Sequence, residues 1–211
     1  MIVHSLLEHA QELLAAGDRR LLGLAGAPGS GKSTLAAALA EALGPRAVVV
    51  PMDGFHLANI ELIRLGRADR KGAPDTFDAA GYVALLRRLK HPVPGETIYA
   101  PIFRREIEEP IAGALAVGPD VGLVITEGNY LLMDGPFAPV RSLLDESWFV
   151  GTDEVSRDAW LLARHIAFGR SAKDARAWID RTDRPNAQLI LATRGLADLV
   201  INPRTQEVSR P

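Results

Sequence analysis

The 211-residue sequence contains no cysteine, which excludes disulfides, thiolate metal sites and a cysteine nucleophile. No apolar run reaches the length of a membrane span, and Met1-Ile2-Val3-His4-Ser5 lacks the charged start and cleavage site of a secretory leader. Neither sign of charge is in excess: the net charge is −2 and the pI about 6.2, so no basic field advertises nucleic acid or an anionic membrane. Lysine is scarce, at four residues against twenty arginines. These absences predict a soluble cytoplasmic protein with no nucleic-acid partner and no membrane insertion. Apolar content of 47% and charged content of 24% are ordinary, and the length suits one well-buried α/β domain.

One stretch stands out from that plain background. Gly26-Ala27-Pro28-Gly29-Ser30-Gly31-Lys32-Ser33-Thr34 spells GxxxxGK[ST] and holds one of the four lysines. Leu21-Leu22-Gly23-Leu24-Ala25 precedes it as a short buried strand should, and residues 34–43 follow as a strong helix former that ends at Gly44-Pro45. Strand, loop and helix in that order are the context the motif needs. The glycines let backbone N–H groups turn inward on phosphate oxygens, and the helix N-terminus adds partial positive charge. Lys32 is expected to reach the terminal phosphates and the Ser33 hydroxyl to ligate Mg²⁺. The pattern implies a nucleoside triphosphate site.

Further along, apolar periodicity predicts a lead-in helix over residues 2–16, stopped by Gly17. Residues 47–53 read as a strand, and 78–90 as a helix capped by Asp78. Residues 97–103 read as extended chain, which Pro101 places at an edge or outside the main sheet. Strands are also predicted over 121–126, 147–150 and 198–201, with Arg-rich helices over 153–168 and 172–181. Apolar strands alternating with helices imply a parallel sheet covered on both faces, with ligands at the carboxyl ends of its strands. No repeat or linker interrupts the chain. Residues 1–211 therefore read as one domain, in which 54–110 is an insertion shaping an acceptor site and 153–182 a lid with its flanking helices.

Two acidic residues end predicted strands. Asp53 either orients and deprotonates an attacking hydroxyl or merely forms an Asp-Gly turn; the phosphate loop upstream tips the reading toward the base. Glu127 either helps hold Mg²⁺ or is a solvated strand end, and the loop again favours the metal. Arg157, Arg164 and Arg170 are candidates for a lid cation over the γ-phosphate, set against a solvated basic face. His56 either bonds an acceptor hydroxyl or caps the next helix. Tyr99, Arg104, Arg105, Glu106 and Glu108 either line an acceptor pocket or form a solvated edge strand. Trp160 and Trp178 read as packing residues.

Taken together, Gly26–Thr34, Met52-Asp53-Gly54-Phe55-His56, Ile125-Thr126-Glu127-Gly128-Asn129-Tyr130 and an Arg-rich lid resemble the uridine kinase, phosphoribulokinase and type I pantothenate kinase group of P-loop kinases. Residues 71–78 resemble the Lys-Gly-x-Pro-x-x-[Phe/Tyr]-Asp stretch of pantothenate kinases. Residues 100–110 and Pro185-Asn186-Ala187 are most similar to bacterial kinases of fructose transport systems. The resemblance implies a P-loop NTPase three-layer α/β sandwich with about five parallel strands. It implies Asp53 as base and indirect metal contact, Ser33 and Glu127 on Mg²⁺, and Arg164 as the lid arginine. Uridine kinases carry Ser and Tyr around the Phe after the catalytic Asp, where this chain has Gly54 and His56. The expected activity is transfer of phosphate from ATP–Mg²⁺ to a hydroxyl of a small metabolite, with a sugar such as fructose first. Pantothenate or a nucleoside is the alternative acceptor, and a regulatory NTPase without an acceptor is the alternative of another class. Acceptor contacts are expected at His56, Tyr99 and Arg104, and the choice between monomer and homodimer stays open.

Overall fold

The computed structural model describes residues 4–205 and 207–211. Residues 2 and 3 of the predicted lead-in helix lie outside the described residues. Helix α1 (His4–Ala15) leads into β1 (Arg20–Ala25), the phosphate loop and α2 (Lys32–Leu43). Strand β2 (Ala47–Pro51) runs into a 3₁₀ turn, Met52–Phe55, and then α3 (Asn59–Arg64) and α4 (Ala79–Lys90). Asp78 caps α4 as predicted, its carboxylate accepting from the Gly81 amide. Next come β3 (Ile98–Arg104), β4 (Glu109–Val117), β5 (Leu123–Gly128), α5 (Ala138–Leu143) and β6 (Glu146–Val150). Helices α6 (Glu154–Ala167), α7 (Ala172–Trp178) and α8 (Arg184–Leu191) precede β7 (Leu199–Ile201) and β8 (Val208–Ser209). A π-helical turn, Ile179–Asp183, joins α7 to α8.

The main sheet has the order β2-β5-β1-β6-β7-β8. Its first five strands are parallel, as the alternation of strands and helices predicts, and β8 adds an antiparallel edge that the sequence reading missed. At two residues with no apolar alternation, β8 carries no periodic signal. Side chains of β1 alternate between the two faces. Leu22 and Leu24 join α1 and α2 through Leu6, Ala10, Ala36 and Leu39, while Leu21 and Ala25 meet α4 through Tyr82 and Leu86. Helices on both faces of one sheet make the three-layer sandwich.

Strands β3 and β4 form a separate two-stranded antiparallel sheet. Pro101 falls where the register shifts between Ala100 and Ile102, at a point where its missing N–H breaks no ladder bond. The hairpin leans on the turn after β2, and that contact dictates a glycine. A Cβ on Gly54 would lie 2.3 Å from the Pro101 carbonyl oxygen, closer than any side chain tolerates. Sheet order also aligns the strand ends: β5 lies between β1 and β2, with Glu127 paired in register to Leu24 on one side and Pro51 on the other. The phosphate loop, Glu127 and Asp53 therefore leave three adjacent strands at one edge.

Candidate active site

A cleft of about 390 Å³ opens at that edge. Lys32, Ser33, Asp53, His56, Glu127 and Arg164 all line it. Gly31 precedes α2 at φ 91°, a backbone conformation that L side chains rarely adopt, and this wraps the loop ahead of the helix. Inside the loop the Ser30 hydroxyl is buried and, among the described residues, has no hydrogen-bond partner, while buried Lys32 makes a long contact to the Ala27 carbonyl at 3.4 Å. A buried donor without a partner is costly, so this cradle suits an anion with several acceptor oxygens. Burial pushes the Lys32 ammonium below its usual range, while Glu127 and Asp53 pull it back.

Ser33 Oγ donates to Glu127 Oε1 at 2.8 Å. Burial raises the Glu127 carboxyl above its ordinary range; Lys32 opposes the shift and Asp53 adds to it. Asp53 goes the other way. Burial alone would raise it, but His56 when protonated, together with Arg105, Lys32 and Arg164, outweighs that and holds it below the usual carboxylate range. Two carboxylates on one floor are thus pushed apart, a pattern typical of catalytic sites. Among the described residues no group of three or more His, Cys, Asp or Glu converges as an all-protein metal site would. That donor set fits Mg²⁺, which takes one or two protein carboxylates and completes its shell with phosphate oxygens and water.

The His56 ring packs between Phe77 and Phe103, with centroids 4.0 and 4.6 Å away. Its Nδ1–H donates to the Asp53 carbonyl at 2.7 Å, leaving Nε2 as the free ring nitrogen. Burial lowers the His56 pKa, which favours the neutral imidazole. Behind the floor, the Tyr82 hydroxyl donates to Thr126 Oγ1 at 2.6 Å, and Thr126 donates in turn to the Val50 carbonyl at 2.7 Å. That chain fixes the end of β5 to the end of β2.

Several residues named from sequence are placed elsewhere. Tyr99 and Arg104 do not line the cleft. Strand alternation buries Ile98 and Ala100, leaving Tyr99 61% exposed, and Arg104 pairs with Glu106 at 3.1 Å on the hairpin's outer side. The neighbouring Arg105 takes that place, its Nη2 donating to Asp53 Oδ2 at 2.9 Å. Of the lid arginines, Arg164 and Arg170 reach the cleft. Arg157 is buried against the phosphate loop, where its carbonyl lies 3.0 Å from the position of a Cβ on Gly29. Neither tryptophan named above is a packing residue in the sense expected. Trp160 is 41% exposed, and Trp178 carries the Arg170 guanidinium over its ring at 4.0 Å. Sequence reading also passed over His165 and Asp183, bonded at 2.8 Å along the same cleft.

The sequence model of the phosphoribulokinase/uridine kinase family matches residues 21–208. The chain belongs to this family. A crystal structure of a putative fructose transport system kinase from Silicibacter sp. TM1040 superposes with a TM-score of 0.85 at 40% identity, covering 95% of this chain and 98% of that one. A putative uridine kinase of Schizosaccharomyces pombe is 38% identical over 189 residues, 85% of this chain and 80% of that protein. The pantothenate kinase of Clavibacter michiganensis subsp. michiganensis is 28% identical over 201 residues, 90% of this chain but 62% of its own length. The chain is thus an ATP-dependent small-molecule kinase of the P-loop class, and none of its described helices is long and apolar enough to cross a membrane.

Proposed function

We propose that this kinase moves the γ-phosphate of ATP to a hydroxyl of a sugar-class metabolite, acting as a single domain whose insertion, residues 54–110, forms the acceptor wall. One observation carries the reading: the phosphate loop and Asp53 face each other across a single cleft, with Ser33 and Glu127 between them. Fructose is the first compound to test, because the similar Silicibacter protein carries that sugar in its name. Carbohydrate metabolism in the cytoplasm is the setting this reading implies.

In this mechanism the loop amides and Lys32 grip the β- and γ-phosphates, and Arg164 closes from α6 over the group in transit. Ser33 and Glu127 are the residues that would hold Mg²⁺, with Asp53 as an indirect contact. Mg²⁺, when bound, neutralises charge on the phosphates and polarises the one transferred. Asp53 takes the proton of the attacking hydroxyl; its depressed pKa keeps it ionised and ready throughout the neutral range. His56, neutral and free at Nε2, is placed to accept from a second acceptor hydroxyl. The test is ADP release from ATP–Mg²⁺ across fructose, other hexoses and pentoses, pantothenate and uridine, with Asp53→Asn beside the wild type. Stimulation by a sugar that vanishes in Asp53→Asn is expected. A slow ATPase indifferent to acceptor and to Asp53 would sink the reading.

A further inference from the structure

The hairpin tip brings a cation to the catalytic floor from outside the main sheet. Arg105 lies in the turn between β3 and β4, with its side chain 36% exposed, and among the described residues Asp53 is its one hydrogen-bond partner. A second cation of the insertion, Lys71, flanks the same aromatic ring: its Nζ lies 5.2 Å, and the Arg105 Cζ 5.8 Å, from the Phe103 centroid. Lys71 is anchored by the Asn59 side chain at 2.6 Å and by the Glu108 carbonyl. Arg105, in contrast, keeps most of its donors uncommitted.

Its contact with Asp53 raises a chemical problem. A carboxylate oxygen engaged by a guanidinium is a poorer base and is shielded from an incoming hydroxyl. Asp53 is also faced by His56 from its own turn, Lys32 from α2, Arg164 from α6 and Glu127 from β5. Lys32 is buried in the phosphate loop and Arg164 is carried on α6, whereas Arg105 comes from the hairpin turn with its side chain 36% exposed. A planar guanidinium with unspent donors matches the paired oxygens of a carboxylate or a phosphate.

We infer that Arg105 reads an anionic group on the acceptor, and that moving from Asp53 to that group frees the base as the acceptor seats. The favoured acceptors are then sugar phosphates or sugar acids, ahead of the neutral sugar. This rests on the proposed kinase reading with Asp53 as base. The proton balance is simple: the acceptor hydroxyl gives its proton to Asp53, its oxygen bonds the γ-phosphorus, and ADP leaves.

Matched acceptors test it: fructose against fructose 6-phosphate, ribose against ribose 5-phosphate, and glycerol against glycerate, with wild type, Arg105→Ala and Arg105→Lys. Wild type should favour the anionic member by about tenfold to a hundredfold in kcat/KM, the size of a hydrogen bond to a charged group. The phosphate and carboxylate arms show which anion is read. Arg105→Ala should collapse the preference with KM for ATP held, and Arg105→Lys, charged but without the fork, should keep part of it. On a neutral acceptor the acid limb of kcat/KM should move to higher pH in Arg105→Ala, because Asp53 loses a cation that keeps it ionised. An equal loss on neutral and anionic members, or a wild type that prefers neutral ones, overturns the inference and leaves the kinase reading intact. Failure of wild type to phosphorylate any of the six overturns the proposed sugar-class reading, and the inference with it.

Discussion

On the nucleotide side of the cleft, Glu127 lies within β5, paired with strands on both flanks, and Lys32 and Ser33 open α2 after the phosphate loop that follows β1. On the opposite side, which we propose receives the acceptor, His56, Lys71 and Arg105 come from turns between β2 and β4, and Asp183 from the joint between α7 and α8. The first wall is fixed by a buried ladder and cannot adjust without breaking the sheet. The second is held by stacked rings, single hydrogen bonds and one close backbone approach. Chemistry common to a whole family suits the first kind of support, whereas chemistry that differs between relatives suits the second. The two walls meet at Asp53, which ends a strand of the first and is bonded by a hairpin of the second.

That contrast can be broken by substitution. Asp53→Asn should give the largest effect, a loss of about 10²–10⁴-fold in kcat with ATP binding retained, measured by coupled ADP release and by nucleotide titration. An equal loss in nucleotide affinity would show that Asp53 belongs to the nucleotide wall instead. Gly54→Ala comes next. A methyl group has no room beside the Pro101 carbonyl, so hairpin and catalytic turn must separate, costing about 1–3 kcal/mol in denaturant unfolding and raising KM for the acceptor more than for ATP.

Glu127→Gln should separate stability from activity. The folded carboxyl titrates above its unfolded value, so it favours the fold at acid pH, and that contribution is lost as pH rises through the raised value. Above that raised value the ionised group strains the ligand-free protein, and there Glu127→Gln should raise the melting temperature while lowering turnover. The gain should shrink as pH falls toward the ordinary glutamate range. Asp53, with its depressed pKa, contributes stability that persists down through that range and is lost only at lower pH. Tyr99→Ala and Arg104→Ala should do least, within about 0.5 kcal/mol of stability and with unchanged KM, since both side chains face solvent outside the cleft.

Much of the nucleotide wall was legible in the sequence because its signals are local. The phosphate loop is one contiguous motif, and Asp53 and Glu127 each follow an apolar run that could only be a buried strand. Which strands lie adjacent is not written locally, so the Ser33–Glu127 bond was an expectation of shared metal rather than of contact. The acceptor wall was harder for the same reason. Arg105 and Arg104 are neighbours of equal chemistry, and only the twist and turn of the hairpin decide that the former meets Asp53. Tyr99 was named as an acceptor contact by its polarity, yet the pleat of β3 turns it outward. Composition reads Trp178 as packing, whereas its half-buried ring lines the cleft and carries the Arg170 guanidinium on its face.

The wide turn between α7 and α8 sets a spacing of its own. Helical reading pairs residues three or four apart, because 3.6 residues complete a turn. In a π-helical turn the bonded partners are five apart, so positions i and i+5 come into line. Trp178 and Asp183 are five residues apart and line the same cleft, with Asn186 a further three along. Deleting one residue from Ile179–Asp183 would restore the ordinary pitch and rotate α8 by about 100° relative to α7. The aromatic shelf and the carboxylate would then face different directions, though every side chain in the cleft would still be present in the chain.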